Sequence, residues 1–313
     1  MGSYPLGHKC VFHTLPPVGC ASGGTQPRVY AVIFSQPEIL HEQPVQLSPL
    51  VRRITANNPS MLTGPGTNTY LVGVNEIAVI DPGSNDPVHL DAILKACDGR
   101  LKWVIVTHTH ADHSPGAKAL HEATGAQLLG NLIEDEDQDP SFRPHRGFAH
   151  DEIFKTAEFS LRALLTPGHV ENHICYLLEE EKLLFSGDHL MEGWTVVIIP
   201  PHGDMKDYLD SLQLLLNYPL AAIAPGHGHL IFEPVNEVNA VMRHRLMREA
   251  KVVRVLSQTR QGTLESLTPS VYDDVDAARH RIARYSLHAH LLKLQRDGKV
   301  QERADGWHWL TEK

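Results

Sequence analysis

The sequence predicts an α/β fold in which two sheets stack with helices outside, followed by a small helical module that ends in a β-wing. Two observations predict it. Between residues 51 and 237, short apolar strands alternate with helical segments. From residue 238, long basic helices and a closing hairpin follow. At 313 residues with 42% hydrophobic content, the chain is long enough to bury a large core.

The chain divides into three predicted segments. Residues 1–50 are rich in Pro and Gly, contain one clear strand candidate at Val29–Phe34, and form an N-terminal extension of unclear role. Residues 51–237 form the main domain. Residues 238–313 form a winged-helix-like module, in which Asp305 and Gly306 are the turn signal of the closing hairpin.

Within the main domain, strands are expected where short apolar runs end in polar or glycine residues. The predicted strands are Thr69–Val72, Ile77–Ile80, Trp103–Val106, Gln127–Leu129, Phe159–Leu165, His173–Leu178, Lys182–Phe185 and Ala221–Ala224. The predicted helices are Pro87–Ala96, Gly116–Thr124 and Met205–Leu216. The acidic, Pro-containing segment Glu134–Arg146 is expected to be a surface loop.

Cysteine usage and hydropathy predict the compartment. The four cysteines are far apart and form no Cys-x-x-Cys pair, so neither a disulfide framework nor a thiolate zinc finger is indicated. No apolar run reaches the length of a membrane span, and the start lacks a basic segment followed by a hydrophobic one. We therefore expect a cytoplasmic protein without a membrane partner; the sequence is compatible with a homo-oligomer.

Four potential metal ligands lie within six residues after the strand Trp103–Val106. They are His108, His110, Asp112 and His113. Alternation at a strand end puts His108 and His110 on one side, and the following turn can bring Asp112 and His113 to a second point nearby. Three more candidates follow later strands and sit beside glycine. They are His169, Asp188 and His227.

The chemistry of these side chains indicates the kind of metal. Imidazole and carboxylate suit zinc, with manganese or iron as alternatives, and the absence of thiolate argues against a purely structural tetrahedral site. These side chains therefore predict divalent metal ions, and the two clusters of ligands leave room for two of them.

The pattern His-x-His-x-Asp-His, followed by His, Asp and His, resembles the metallo-β-lactamase superfamily over roughly residues 60–230. The resemblance implies an αββα sandwich, with residues 51–237 as the catalytic domain. It implies His108, His110 and His169 on one metal. It implies Asp112, His113 and His227 on the other, with Asp188 bridging both. A metal-bridging hydroxide would attack the substrate, which makes His108, His110, Asp112, His113 and Asp188 the predicted catalytic residues.

Four further residues are candidates for outer contacts. Asp81 matches the first acidic motif of the superfamily and would orient a ligand, although a plain turn residue fits the same position. Thr67 and Asn68 are either pocket residues or turn formers. His173 is either an outer contact of the metal site or a core histidine.

Three segments, Gly64–Gly73, Thr166–His169 and Gly203–Leu212, together with the tail resemble the beta-lactamase-like protein 2 family. That family has a metallo-β-lactamase domain followed by a winged-helix-like module. It includes endoribonucleases that prefer single strands and polyketide-releasing acyl thioesterases.

Three functions are consistent with this resemblance. The first is an endoribonuclease-like phosphodiesterase acting on single-stranded RNA, because residues 240–313 hold 14 basic against 9 acidic residues, a charge of +5. The basic residues that motivate it are Arg243, Arg245, Arg248, Lys251, Arg254, Arg279, Arg281 and Arg284. The second is an acyl thioesterase or other ester hydrolase of the glyoxalase II type acting on a small acyl substrate. An acidic body, with 14 basic against 28 acidic residues, tolerates such a substrate more easily than a polyanion. The third is a non-catalytic nucleic-acid-binding protein.

Overall fold

The computed structural model describes residues 33–133, 135 and 138–310. The first sheet contains six strands in their chain order. They are β1 (Val45–Gln46), β2 (Val51–Thr55), β3 (Asn68–Val72), β4 (Ile77–Ile80), β5 (Leu101–Ile105) and β6 (Gln127–Leu129). The first four are antiparallel, whereas β4, β5 and β6 are parallel. Parallel neighbours need a crossover, and the helices α1 (Pro87–Cys97) and α2 (Gly116–Thr124) provide it.

The second sheet contains five strands in the spatial order β11-β10-β9-β8-β7. They are β7 (Glu152–Lys155), β8 (Ser160–Leu165), β9 (Ile174–Leu178), β10 (Leu183–Gly187) and β11 (Ala222–Pro225). All pairs are antiparallel except β10 and β11, which α3 (Met205–Leu215) connects.

Alternation along the strands divides the hydrophobic residues between layers. In β4, Ala78 and Ile80 pack into the core between the sheets, whereas Val79 faces α1 and α2. In β9, Tyr176 faces the same central core and Leu177 faces α3. Strands covered on both faces read as continuous apolar runs, and the result is an αββα sandwich. The predicted fold class is confirmed.

The C-terminal module has its own small core. Its elements are α4 (Pro234–Thr259), β12 (Gln261–Gly262), α5 (Leu264–Val271), α6 (His280–Arg296), β13 (Val300–Arg303) and β14 (Gly306–Trp309). Trp307, buried to 2% exposure, packs with Leu287 and Leu291 of α6. β13 and β14 form the predicted hairpin, and β12 adds a third strand to it.

Two sequence predictions concern segments at the edge of the pattern. Of the strand candidate Val29–Phe34, residues 29–32 lie outside the described residues, and Phe34 is buried in the central core together with Leu47. The segment Glu134–Arg146 was expected at the surface. That expectation is wrong at Phe142, which is fully buried, because its aromatic ring extends the core between the first sheet and its helices.

The helix α4 begins at Pro234 and continues through the predicted domain boundary at residue 238. The boundary therefore falls inside a continuous helix, and its position stays a prediction.

Local signals explain where the helices of the main domain begin. The side chain of Asp86 accepts a hydrogen bond from the Val88 amide at the start of α1. The side chain of Asp204 accepts from the amides of Lys206 and Asp207 at the start of α3. Such N-caps satisfy amides that the helix itself leaves without partners.

Replacing Leu71, fully buried in β3, by alanine tests the packing of the first sheet against its helices. We expect the free energy of unfolding to fall by about 2–5 kcal/mol, because the substitution removes buried methyl groups and leaves a cavity. Urea denaturation measures it. The control is Val88→Ala at a side chain with 63% exposure, for which we expect less than ~0.5 kcal/mol. Equal effects in the two variants would contradict this layer of the core.

Candidate metal centre

The seven predicted ligands lie on loops that follow strands at one edge of the sandwich. The loop after β5 carries His108, His110, Asp112 and His113, while His169, Asp188 and His227 follow β8, β10 and β11. Their ligand atoms form three overlapping groups of three, and within each group the atoms lie within 4.8 Å of one another. The structure brings all seven together.

The first group consists of three imidazole rings. Nδ1 of His110 lies 2.9 Å from Nε2 of His108 and 3.0 Å from Nε2 of His169. The rings of His108 and His110 are nearly perpendicular, with an interplanar angle of 83°. Three ring nitrogens therefore converge on one point.

The second group mixes imidazole with carboxylate. Oδ2 of Asp112 lies 3.4 Å from Nε2 of both His113 and His227. Oδ1 of Asp188 lies 3.3 Å from the same two nitrogens. Oδ2 of Asp188 faces the first group, 3.7 Å from Nε2 of His169. Asp188 therefore presents one oxygen to each group.

Hydrogen bonds on the far side of the rings determine which nitrogen carries the proton. Nδ1 of His169 donates to the Val197 carbonyl at 2.8 Å, and Nδ1 of His227 donates to the Gly66 carbonyl at 3.2 Å. A carbonyl oxygen can only accept, so a neutral ring keeps its Nε2 lone pair free. Both lone pairs then point into the cluster.

Asp81 orients two more rings. Its carboxylate accepts hydrogen bonds from Nδ1 of His113 at 2.9 Å and from the amide and hydroxyl of Thr107. Since the Thr107 hydroxyl donates to Asp81, it accepts from Nδ1 of His108 at 3.0 Å. Asp81 thus aims Nε2 of His113 directly and Nε2 of His108 through Thr107, which is how outer carboxylates tune metal ligands.

In the first group, burial keeps the rings neutral. Burial lowers the pKa of His110 to about 3, and the neighbouring His169 ring contributes to the shift. Burial likewise lowers the pKa of His108 well below its usual value and lowers that of His169. Three uncharged rings with free lone pairs are what a divalent cation requires.

In the second group, carboxylates outweigh burial. Burial disfavours a charged His227, yet the Asp188 carboxylate raises its pKa to about 9. Against the same burial, the carboxylates of Asp112, Asp188 and Asp81 raise the pKa of His113 well above its usual value. Buried negative charge at this point calls for a cation or for protons.

The donor atoms fit divalent metals. Nε2 of His113 and Oδ1 of Asp188 are buried and have no hydrogen-bond partner, which is costly unless a metal ion or another ligand engages them. All the donors are imidazole nitrogens and carboxylate oxygens, a set that suits zinc, manganese or iron. Gly226 is required beside them, since a Cβ there would lie 2.7 Å from Oδ1 of Asp188.

The other candidates take different places. The hydroxyl of Thr67 donates to Oδ2 of Asp112 at 3.1 Å. Asn68 is fully buried and donates to the carbonyls of Pro225 and Gly228, so it braces the loop that carries His227 and does not face the ligand atoms. The His173 ring lies 5.2 Å from the His108 ring. Its Nδ1 pairs with the Thr166 hydroxyl at 2.9 Å, and its Nε2 has no partner.

Sequence reasoning missed contacts from the segment it placed at the surface. Oδ2 of Asp139 accepts from the Ser114 hydroxyl at 2.8 Å, and Oε1 of Gln138 accepts from the Thr109 hydroxyl at 2.6 Å. Thr109 and Ser114, which carry these hydroxyls, lie in the same loop after β5 as four of the predicted ligands. No sequence pattern marks these partners, because they lie 25 and 29 residues away along the chain.

The metallo-beta-lactamase superfamily model matches residues 62–227, more than half of the chain. The chain belongs to the metallo-beta-lactamase superfamily. A model of the beta-lactamase associated winged helix domain matches residues 263–307, which confirms the predicted type of C-terminal module. The predicted class, a metal-dependent hydrolase, is confirmed at the level of the superfamily.

The similarity to two relatives extends beyond the superfamily domain. A beta-lactamase-like protein 2 homolog of Caenorhabditis elegans is 31% identical over 85% of this chain and 91% of the relative. An atrochrysone carboxyl ACP thioesterase of Aspergillus chevalieri is 31% identical over 82% of this chain and 84% of the relative. The predicted resemblance to beta-lactamase-like protein 2 is confirmed.

A solved structure supports the fold. A beta-lactamase domain protein from Burkholderia ambifaria superposes with a TM-score of 0.75 at 17% identity, covering 88% of this chain and 95% of that one. In the part of this chain that the structure describes, no helix is long and apolar enough to cross a membrane.

Replacing Asp81 by asparagine tests the orientation of the rings. The amide would put a donor where His113 and Thr107 now donate, so we expect affinity for Zn²⁺ to fall roughly 10–100-fold. Isothermal titration of the metal-free protein measures it. The control, Asp91→Asn, changes a carboxylate with 58% exposure on α1 and should bind Zn²⁺ like the wild type. Unchanged affinity in the Asp81→Asn protein would show that Asp81 does not orient the ligands.

Proposed function

We propose that the chain is a two-metal hydrolase of acyl thioesters. His108, His110 and His169 would hold one cation, and Asp112, His113 and His227 the other, with Asp188 between them. Divalent cations bound there would supply Lewis acidity and lower the pKa of a coordinated water. The oriented ring nitrogens described above support this assignment, with zinc as the favoured metal.

An apolar rim beside the site carries the choice of substrate. The Trp194 ring lies 2.7 Å from the position that a Cβ on Gly64 would take and 3.7 Å from the one on Gly228, next to His227. Met61 and Leu62, on the same turn as Gly64, are 63% and 56% exposed. Exposed apolar side chains grouped beside polar ligands fit an acyl chain better than a polyanion.

The chemistry of the leaving group agrees with this substrate. Hydrolysis consumes water, breaks the bond between the acyl carbon and sulfur, and yields a carboxylate, a thiol and one proton. A thiol has a pKa of ~8.5, so the thiolate departs without a general acid. The site then needs only to hold the cations, orient the acyl group and admit water.

Half of the basic residues that favoured RNA are buried or paired with carboxylates of the protein. Arg245 and Arg248 are 3% and 7% exposed, and Arg248 pairs with Asp274 at 2.7 Å. Lys251 pairs with Asp273, and Arg284 pairs with Glu265. Three of the eight residues thus pair with carboxylates of their own module, and Arg245 is buried, which weakens the argument for a phosphate-binding surface. Cleavage of RNA stays a prediction.

The relative from Aspergillus chevalieri adds support for the same chemistry. Its description names an acyl group on a carrier protein as the substrate. We therefore propose a thioester whose thiol belongs to a carrier protein or to a pantetheine-like small molecule. No comparable observation supports the third function, that of a non-catalytic nucleic-acid-binding protein.

A parallel screen of the zinc-reconstituted protein tests the proposal. We expect turnover of an acyl-pantetheine thioester and no cleavage of single-stranded RNA. Asp188→Ala should lower kcat/KM more than about 100-fold, because both groups lose an oxygen. Asp210→Ala, at a carboxylate with 64% exposure on α3, is the matched control and should be active. Cleavage of RNA without thioester turnover would refute the proposal and support the phosphodiesterase prediction.

Replacing Trp194 by alanine tests the apolar rim. We expect KM for a long-chain acyl thioester to rise about tenfold, since an aromatic contact area of this size contributes on the order of 1–2 kcal/mol, whereas KM for an acetyl thioester should change little. Steady-state kinetics with both substrates measures the difference. Met247→Ala, which removes a side chain with 66% exposure on α4, is the control. Equal KM changes for the long and short substrates would rule out the rim as the acyl site.

A further inference from the structure

The segment 189–201, which we call the bridging segment, contacts the metal centre at several points. It begins directly after Asp188. The Val197 carbonyl accepts the hydrogen bond from Nδ1 of His169 at 2.8 Å, and Trp194 packs over Gly64. The position of this segment therefore decides where the Nε2 atom of His169 points.

One side chain of the C-terminal module reaches into this segment. Arg245 lies on α4 and is 3% exposed. Its Nη2 donates to the Val196 carbonyl at 2.5 Å, one peptide before the carbonyl that holds His169. Val196 itself is buried to 3% exposure, so the contact is shielded from water.

The same guanidinium stacks on a second element that grips the site. Its Cζ lies 5.2 Å from the centre of the Tyr208 ring. The Tyr208 hydroxyl donates to the carbonyl of His189, the residue after Asp188, at 2.8 Å. A Cβ on Gly168, the residue before His169, would lie 2.3 Å from Cα of Tyr208. Tyr208 thus contacts the neighbours of two ligands.

We propose that Arg245 is a positioning residue through which the C-terminal module sets the His108, His110 and His169 group. It acts through the carbonyls of Val196 and Val197 and through Tyr208. The inference rests on the metal centre of the proposed function, but it does not depend on the identity of the substrate.

The burial of Arg245 favours this role over simple packing. Its Nε has no hydrogen-bond partner among the described residues, and a buried charge that is not fully paired costs free energy that an apolar side chain would not. The guanidinium at this position donates to the Val196 carbonyl of the bridging segment and packs on the Tyr208 ring. Its neighbour one turn away, Arg248, instead bonds to Asp274 and to the Val271 carbonyl, all within the module.

These two arginines form a matched pair for the test. The full-length metal-free variants Arg245→Met and Arg248→Met are titrated with Zn²⁺ by calorimetry and with Co²⁺ by visible absorption. We expect Arg245→Met to bind one of its two Zn²⁺ ions roughly tenfold more weakly and to show an altered Co²⁺ spectrum. Arg245→Lys, which retains a donor, should recover much of both, and Arg248→Met should bind both metals like the wild type.

Several results would overturn the proposal. One is wild-type metal affinity and spectrum in Arg245→Met. Another is an equal loss in Arg248→Met. If Arg245→Met does not fold, Arg245→Gln is titrated in its place, and failure of both to fold while Arg248→Met folds would assign Arg245 to stability alone. A wild-type protein that binds two metals but hydrolyses no thioester would refute the proposed function and leave this test intact.

Discussion

The carboxylate of Asp81 is the contact on which the site depends. Asp81 directly follows β4, a strand in the middle of the first sheet, and its carboxylate accepts three hydrogen bonds from the loop that follows β5. Because β4 and β5 run parallel, both ends lie at the same edge of the sheet. One buried carboxylate thereby fixes the turn that carries four of the seven candidate ligands and orients two of the rings.

Concentrating five histidines and two aspartates in a dry site works against stability. Burial lowers the histidine pKa values in one group, and carboxylates raise them in the other. Without bound cations, the buried charge of this site therefore disfavours the folded state. The two layers of apolar packing on either side of each sheet offset this cost. Glycine at 226, close to Asp188, and at 168, close to Tyr208, then lets these loops meet without steric conflict.

The C-terminal module is part of the same construction. Two of its arginines contact the main domain: Arg245 bonds to the bridging segment, and Arg296 pairs with Asp204, whose amide donates to the carbonyl of Gly168. Part of the positive charge in this module therefore joins it to the loops around His169. A net charge counted over a segment does not reveal which cations face solvent.

Local patterns of the sequence determined the stacked sheets with outer helices and the seven candidate ligands, because strand periodicity and polar residues at strand ends can be read without knowledge of the fold. The αββα class followed from the resemblance to the superfamily. It also marked Asp81, whose motif lies at the end of a strand. Only the tertiary structure decided that Asn68 braces a loop, that Asp139 and Gln138 hold the ligand turn, and that Arg245 is buried. These roles depend on which distant segments meet, and such meetings are set by packing of the whole chain, which no local pattern encodes.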